Sequence, residues 1–234
     1  MDVCFSPEMV SAHSLKRKTV VVADILRASS SITAGIYGGV PAIRPVEQIH
    51  RRHYWQERGY LLGGERGGVM IDGFDLGNAP PDYLKAGAKK QKIIMTTTNG
   101  TRAIQVSKHA GQLLVGSFLN LDAIAGYLLT NRPPLLIVCS GWKGTPSLED
   151  SLFAGALLER LGPKYDAPTT DGARLAITNY RYHKDQLTEA VQESSHRQRL
   201  LSMNREEDIA FCLQQSIYPV VPILRGEEIV AFTS

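Results

Sequence analysis

Four short runs of the chain are apolar at consecutive positions: 19–23 (TVVVA), 92–95 (KIIM), 113–116 (LLVG) and 135–139 (LLIVC). A strand with one wet face alternates apolar and polar residues, whereas a strand covered on both faces need not. These runs therefore predict strands in the middle of a layered fold. Between them the apolar spacing lengthens to that of a helix. Over 147–161, Leu148, Leu152, Phe153, Ala156, Leu157 and Leu161 fall on one stripe, and Gly162-Pro163 ends it. Residues 205–214 repeat the pattern with Ile209, Cys212 and Leu213. Acidic residues fill the first turn there, where the helix dipole favours them.

Strands alternating with helices predict an α/β protein, layered α/β/α, with a largely parallel or mixed sheet. From about Asp166 to Gln215 the chain reads as mostly helical, and two β-like segments, 217–224 and 228–232, close it around Arg225-Gly226. No repeat, low-complexity tract or long linker interrupts the sequence. Residues 1–234 therefore read as one domain. Pro133-Pro134 marks the place, near 130–134, where two subdomains would meet.

Composition narrows the function without naming it. A chain of 234 residues, 43% hydrophobic and 21% charged, can bury a core without disulfides or a structural metal. Lys and Arg total 26 against 23 Asp and Glu, a net charge of +3. The basic spots Lys16-Arg17-Lys18 and Arg51-Arg52 are too short to predict nucleic-acid binding. The mild excess suits a small anionic ligand. Cys4, Cys139 and Cys212 form no C-x-x-C pair, which argues against a zinc knuckle or disulfide framework and for a reducing compartment. No signal-peptide pattern opens the chain, and no apolar run reaches the roughly 18 residues of a membrane span. The cytoplasm is the expected location, with no membrane partner, and base rates favour a homodimer.

In open α/β sheets, ligands collect beyond the carboxyl ends of the strands. After 19–23 come Asp24, Arg27 and the hydroxyls of Ser29, Ser30 and Ser31. That set suits a metal and a phosphate, and equally a plain helix cap. After 92–95 come Thr96-Thr97-Thr98-Asn99-Gly100-Thr101, a helix start whose N–H groups would face an oxyanion. The helical spacing of Ala103, Ile104 and Lys108 argues against a hairpin at Asn99-Gly100. After 135–139, Ser147 and Asp150 match a capping box, with Asp150 off the apolar stripe and free to bind a metal. Gly63-Gly64-Glu65-Arg66-Gly67-Gly68 predicts a tight loop presenting both charges. The following 72–78 segment lacks the alternating oxygens of an EF-hand.

Several familiar chemistries are absent. There is no dinucleotide or Walker phosphate loop and no G-x-S-x-G elbow. Thr145 stands where a cysteine phosphatase built on Cys139 would need Arg. Leu26 stands where a haloacid-dehalogenase-type enzyme would place a second Asp. His50 and His53, beside Arg51 and Arg52, read as a solvated helix face. Tyr180, Tyr182 and His183 read as a packed helix edge.

Taken in order and spacing, DILRA at 24–28, GGERG at 63–67, GFDLGN at 73–78, TTNGTRA at 97–103 and SLED at 147–150 resemble the 2-phosphosulfolactate phosphatase family. Ala154-Gly155-Ala156-Leu157 and Glu207-Asp208-Ile209 fit as well, so the resemblance runs from about Val20 to Pro222. It departs at Ser29-Ser30-Ser31, where the family is often Thr-rich, and at Ala79, where it often has Ser. The resemblance implies a layered α/β fold and Mg²⁺-dependent hydrolysis of 2-phospho-3-sulfolactate within coenzyme M biosynthesis. On this reading Asp24 and at least one of Glu65, Asp75 and Asp150 hold Mg²⁺, since the ion prefers hard oxygen ligands. Arg27 and Arg66 grip phosphate or sulfonate. Ser29, Asn99, Gly100 and Thr101 bind the substrate. A Mg²⁺-activated water is the first expectation for the nucleophile and Asp24 the second. The same loops would also serve a non-catalytic sensor of a small phosphorylated 2-hydroxy acid.

Overall fold

The structure, a computed structural model, describes residues 1–87, 90–165, 167–192, 194–203 and 205–233. Asp166, at which the sequence predicts the helical stretch to begin, and the His196 side chain lie outside the described residues. The strands are β1 (Asp2–Cys4), β2 (Thr19–Ala23), β3 (Ile43–Pro45), β4 (Leu61–Arg66), β5 (Val69–Met70), β6 (Ile93–Thr96), β7 (Gln112–Gly116), β8 (Leu135–Cys139), β9 (Pro222–Arg225) and β10 (Glu228–Ala231). The helices are α1 (Ala28–Gly38), α2 (Arg52–Gln56), α3 (Pro80–Gly87), α4 (Gly100–Ser107), α5 (Leu121–Asn131), α6 (Leu148–Leu161), α7 (Asp171–His183), α8 (Leu187–Gln192), α9 (Ser195–Leu201) and α10 (Glu206–Cys212).

The four predicted strands are β2, β6, β7 and β8; the two predicted apolar stripes are α6 and α10, the helices expected after β2 and β6 are α1 and α4, and the expected surface helix is α2, which takes in His53 but not His50. The closing segments form the β9–β10 hairpin. Strand β1 has no counterpart in the sequence reading, because three residues are too few to show a period. All five residues of β2 are buried, and helices cover both of its faces. Val21 and Ala23 pack with Leu114, Ile137 and Cys139 against α5, α6 and α7. Val20 and Val22 pack with Leu113, Val115, Leu136 and Val138 against α1 and α4. Burying one such side chain contributes about 1.5–3 kcal/mol, so the middle strands are held from both sides. On α7, Tyr180 is buried as a packed edge requires, but Tyr182 is 86% exposed. Both His50 and His53 are exposed. Among the described residues no helix is long and apolar enough to cross a membrane.

The sheet order is β1-β8-β2-β7-β9-β10-β3-β6-β4-β5. It contains two parallel blocks, β1-β8-β2-β7 and β3-β6-β4. The β9–β10 hairpin joins them antiparallel on each side, through the single pairs Leu114↔Ile223 and Ile229↔Ile43. Along the ladder the two blocks therefore run in opposite directions. Sheet twist of about 20–25° per neighbour turns β4 by roughly 120–150° relative to β2. That rotation brings the carboxyl ends of both blocks to one place, where a Cβ on Gly100 would lie 2.6 Å from Asp24 Oδ2.

Candidate active site

Asp24 stands on the tip of β2 and is 6% exposed. Its Oδ1 accepts the Ala28 N–H at the start of α1, 3.2 Å away. Its Oδ2 faces Gly100, so cap and site coincide in one side chain. A Cβ at position 100 would also fall 2.5 Å from the Ala28 Cβ. Glycine is what lets the start of α4 close on Asp24. The Ser29 hydroxyl donates to Asp24 O at 2.8 Å and accepts the Asp24 N–H at 3.1 Å. Ser30 donates to Ile25 O at 2.9 Å and Ser31 to Asn78 O at 3.0 Å. These buried hydroxyls fasten the β2–α1 turn.

The segment 63–68 is strand before it is loop, contrary to the expected tight loop. Through Arg66 it continues β4, and only Gly67-Gly68, both at positive φ, turn the chain into β5. Glycine at 63 and 64 serves close packing: Cβ atoms there would meet Tyr83 Oη at 2.4 Å and Thr96 O at 2.2 Å. Successive strand side chains point to opposite faces, so Glu65 and Arg66 part company. Glu65 accepts the Thr98 N–H at 2.7 Å and the Gly68 N–H at 2.5 Å. Arg66 donates to Glu47 O at 2.7 Å, and to Glu65 O and Thr96 Oγ1 at 2.8 Å. It lines a separate open cavity with Thr97, Thr101 and Arg102. Thr101 itself is buried, its hydroxyl donating to Thr97 O at 2.9 Å.

A narrow cleft gathers the tips of several strands. The β2 tip supplies Asp24 and Arg27, β4 supplies Glu65, and the stretch before α3 supplies Asn78. Asn99 comes from the β6–α4 turn, Trp142 from the loop after β8, and Arg199 with Leu200 from α9. Arg27 reaches the cleft wall already paired: its guanidinium donates to Asp208 of α10, and both groups are buried. Asn78 Oδ1 is buried without a hydrogen-bond partner. Asn78, Trp142, Arg199 and Asp208 join the site without a sequence expectation for them. Asn78 and Asp208 sit in quoted motifs, whereas Trp142 and Arg199 lie in no motif and become visible only through folding.

Asp150 does not form the expected capping box. Ser147 is the N-cap of α6 but makes no side-chain cap bond. Asp150 turns away, accepting Ile25 N–H at 2.8 Å, Ser140 Oγ at 3.0 Å and Gly141 N–H at 3.1 Å. It therefore ties the tips of β2 and β8 together. Burial, and then the nearby Asp24 and Glu149 charges, push its carboxyl above the ordinary range, against the pull of the Ile25 N–H. Asp75 is exposed and outside the cleft, where its Oδ2 accepts the Leu62 N–H at 2.8 Å.

Among the described residues no three His, Cys, Asp or Glu side chains are grouped to hold a metal. The cleft instead offers two carboxylates, Asp24 and Glu65, and the unpartnered Asn78 oxygen. A buried acceptor left unpaired costs about 1–3 kcal/mol. Hard oxygens in this number suit Mg²⁺, which keeps several of its waters. A wider cavity, about 730 Å³ beside Met1, Pro163 and Arg181, lies elsewhere and collects none of these groups.

The chain matches the family model described as 2-phosphosulpholactate phosphatase over residues 4–227. It is 36% identical over 221 residues to a probable 2-phosphosulfolactate phosphatase of Caldanaerobacter subterraneus subsp. tengcongensis, covering 93% of this chain and 92% of that one. It is 38% identical over 224 residues to the protein of that name from Pseudothermotoga lettingae, with 95% of each covered. With the Clostridium botulinum protein it shares 33% identity over 235 residues and 98% of each chain. Agreement over nearly the whole length, with the family's motifs gathered at the strand tips, means that this chain belongs to the 2-phosphosulfolactate phosphatase family and, with it, to the phosphoric monoester hydrolases.

Proposed function

We propose that the protein hydrolyses the phosphate monoester of 2-phospho-3-sulfolactate to 3-sulfolactate and phosphate, with Mg²⁺, in the cytoplasm and as a step of coenzyme M biosynthesis. The observation that carries this reading is the unpartnered Asn78 oxygen beside Asp24 and Glu65, in a chain whose relatives are named for this reaction. Asp24 and Glu65, with Asn78 Oδ1, would hold the ion. When bound, it supplies positive charge to the phosphoryl oxygens and lowers the pKa of a bound water, the proposed nucleophile.

The chain's own groups do the positioning. Ala28 N–H fixes one Asp24 oxygen, and Thr98 and Gly68 N–H groups fix Glu65, so neither carboxylate has to be ordered on binding. Asn99, which lines the cleft as the N-cap of α4, stands where the phosphoryl oxygens would lie, near the end of the helix whose dipole favours a dianion. Arg27, neutralised by Asp208, shapes the wall more than it adds charge. The cleft holds only about 20 Å³ in this conformation, space for a water or so. Substrate therefore requires the cleft to widen.

The test is phosphate release from 2-phospho-3-sulfolactate by the purified protein, in Mg²⁺ and in EDTA. Release in Mg²⁺ that vanishes in EDTA and in Asp24→Asn is the expected result. No release from folded protein in Mg²⁺ would overturn the enzymatic reading and leave a binding module. A phosphorylated Asp24 trapped during turnover would move the nucleophile from water to that carboxylate.

A further inference from the structure

Three arginines stand near the strand tips, and their surroundings separate them. Arg27 is paired with Asp208. Arg66 points into the neighbouring cavity and spends its donors on Glu47 O, Glu65 O and Thr96 Oγ1. Arg199, from α9, lines the cleft with Asp24 and Glu65. None of the ion pairs among the described residues involves it.

Its guanidinium is nevertheless held in place. It lies over the Trp142 ring, 4.4 Å from the centroid. It also approaches the Gly67-Gly68 turn so closely that Cβ atoms there would come within 3.1 and 3.3 Å of Arg199 Nη2. Both glycines have positive φ, so the turn that makes room for the guanidinium is one that side chains other than hydrogen would strain. An arginine stacked on an indole keeps its N–H edge available for an anion, and less entropy is lost when that anion binds.

We propose that Arg199 is the specificity-determining residue of the site, receiving the sulfonate of the substrate. This rests on the phosphatase reading above, which gives the ion to Asp24, Glu65 and Asn78 and the phosphoryl oxygens to Asn99 at the start of α4. The rest of a three-carbon ligand then has Trp142, Arg199 and Leu200, which line the same cleft, as neighbours. A sulfonate there meets a cation that lies over the Trp142 ring and belongs to none of the ion pairs among the described residues. A neutral methyl in its place would leave that cation desolvated and unpaired, so the same contact selects against phosphorylated hydroxy acids that lack the second acid.

Two measurements keep this apart from the phosphatase reading. The first is kcat/KM for 2-phospho-3-sulfolactate relative to 2-phospholactate, in the wild type, Arg199→Lys and Arg199→Ala. The ratio should fall roughly 10- to 100-fold in Arg199→Ala, the range of one charge-assisted hydrogen bond, and less in Arg199→Lys. Most of the fall should come through KM for the sulfonated ester. The second is calorimetric binding of the product 3-sulfolactate against lactate in Mg²⁺, which needs no turnover. Wild-type preference for 3-sulfolactate that disappears in Arg199→Ala supports the assignment even if the wild type releases no phosphate. An unchanged selectivity ratio in Arg199→Ala, or equal binding of 3-sulfolactate by wild type and variant with unchanged melting temperature, would overturn it.

Discussion

The pairing of Arg27 with Asp208 changes what an arginine at a strand tip means. Alone, a buried guanidinium in the cleft would be a strong anion receptor. Joined to a carboxylate that reaches it from α10, it becomes a structural tie between the β2–α1 turn and the C-terminal helices. Removing one member of a buried pair leaves the other uncompensated, which costs about 3–5 kcal/mol, whereas replacing both with apolar groups costs far less. Asp208→Asn should therefore lower the urea midpoint markedly, and the double variant Arg27→Met, Asp208→Leu should recover much of the loss. Equal midpoints for wild type and Asp208→Asn would contradict the role given to the pair. The same reasoning explains why neither residue's type was enough to assign it: Arg27 stands in a motif, but its partner stands 181 positions away.

Among the elements, the β9–β10 hairpin has the unusual task of joining two blocks of opposite direction. Each join is a single residue pair, so side chains reinforce it. Glu228 on β10 accepts Tyr60 Oη at 2.8 Å and Lys92 Nζ at 2.9 Å, reaching the residues that precede β4 and β6. Burial raises the Glu228 carboxyl, but hydrogen bonds from Lys92 and Tyr60 outweigh it and hold the group below its ordinary value of 4.5. A depressed carboxylate pKa means stability present above the unfolded value and lost as the pH falls through the folded one. The Lys92 side chain is 44% exposed, so the contribution is modest, at most about 1 kcal/mol. Glu228→Gln should thus be slightly less stable than wild type at neutral pH, with the gap closing below the ordinary carboxylate range. Denaturation midpoints that differ equally at pH 7 and in acid would refute this.

At the scale of the molecule, the cleft exists only because the twisted sheet brings β2, β4 and β6 together at their carboxyl ends. A ligand that bridges Asp24 and Glu65 binds the native chain and has no counterpart in the unfolded one. By linkage, Mg²⁺ at about 100 times its dissociation constant should stabilise the protein by about 2.7 kcal/mol. A thermal melt should show the midpoint rising with Mg²⁺ in the wild type and staying level in Asp24→Asn. A rise of equal size in both would place the cation elsewhere.

Much of this protein was decided locally. Uninterrupted apolar runs specify strands covered on both faces, helical stripes specify α6 and α10, and the ordered motifs identify the family, because each depends on neighbours a few positions apart. Asp24 and Asn99 could be found in the sequence for the same reason: they follow strands, where an α/β sheet exposes its tips, whereas Glu65 stood out by the glycines around it. Only the tertiary structure decided how these pieces meet. Strand alternation sends Glu65 and Arg66 to different cavities, although glycines on both sides made them look like one loop. A distant carboxylate neutralises Arg27, and Asp150 abandons its own helix to tie two strand tips. The accumulated twist of the sheet, together with a helix from the far end of the chain, brings Trp142 and Arg199 over the cleft. None of these outcomes has a sequence period, since each depends on where whole elements lie after packing.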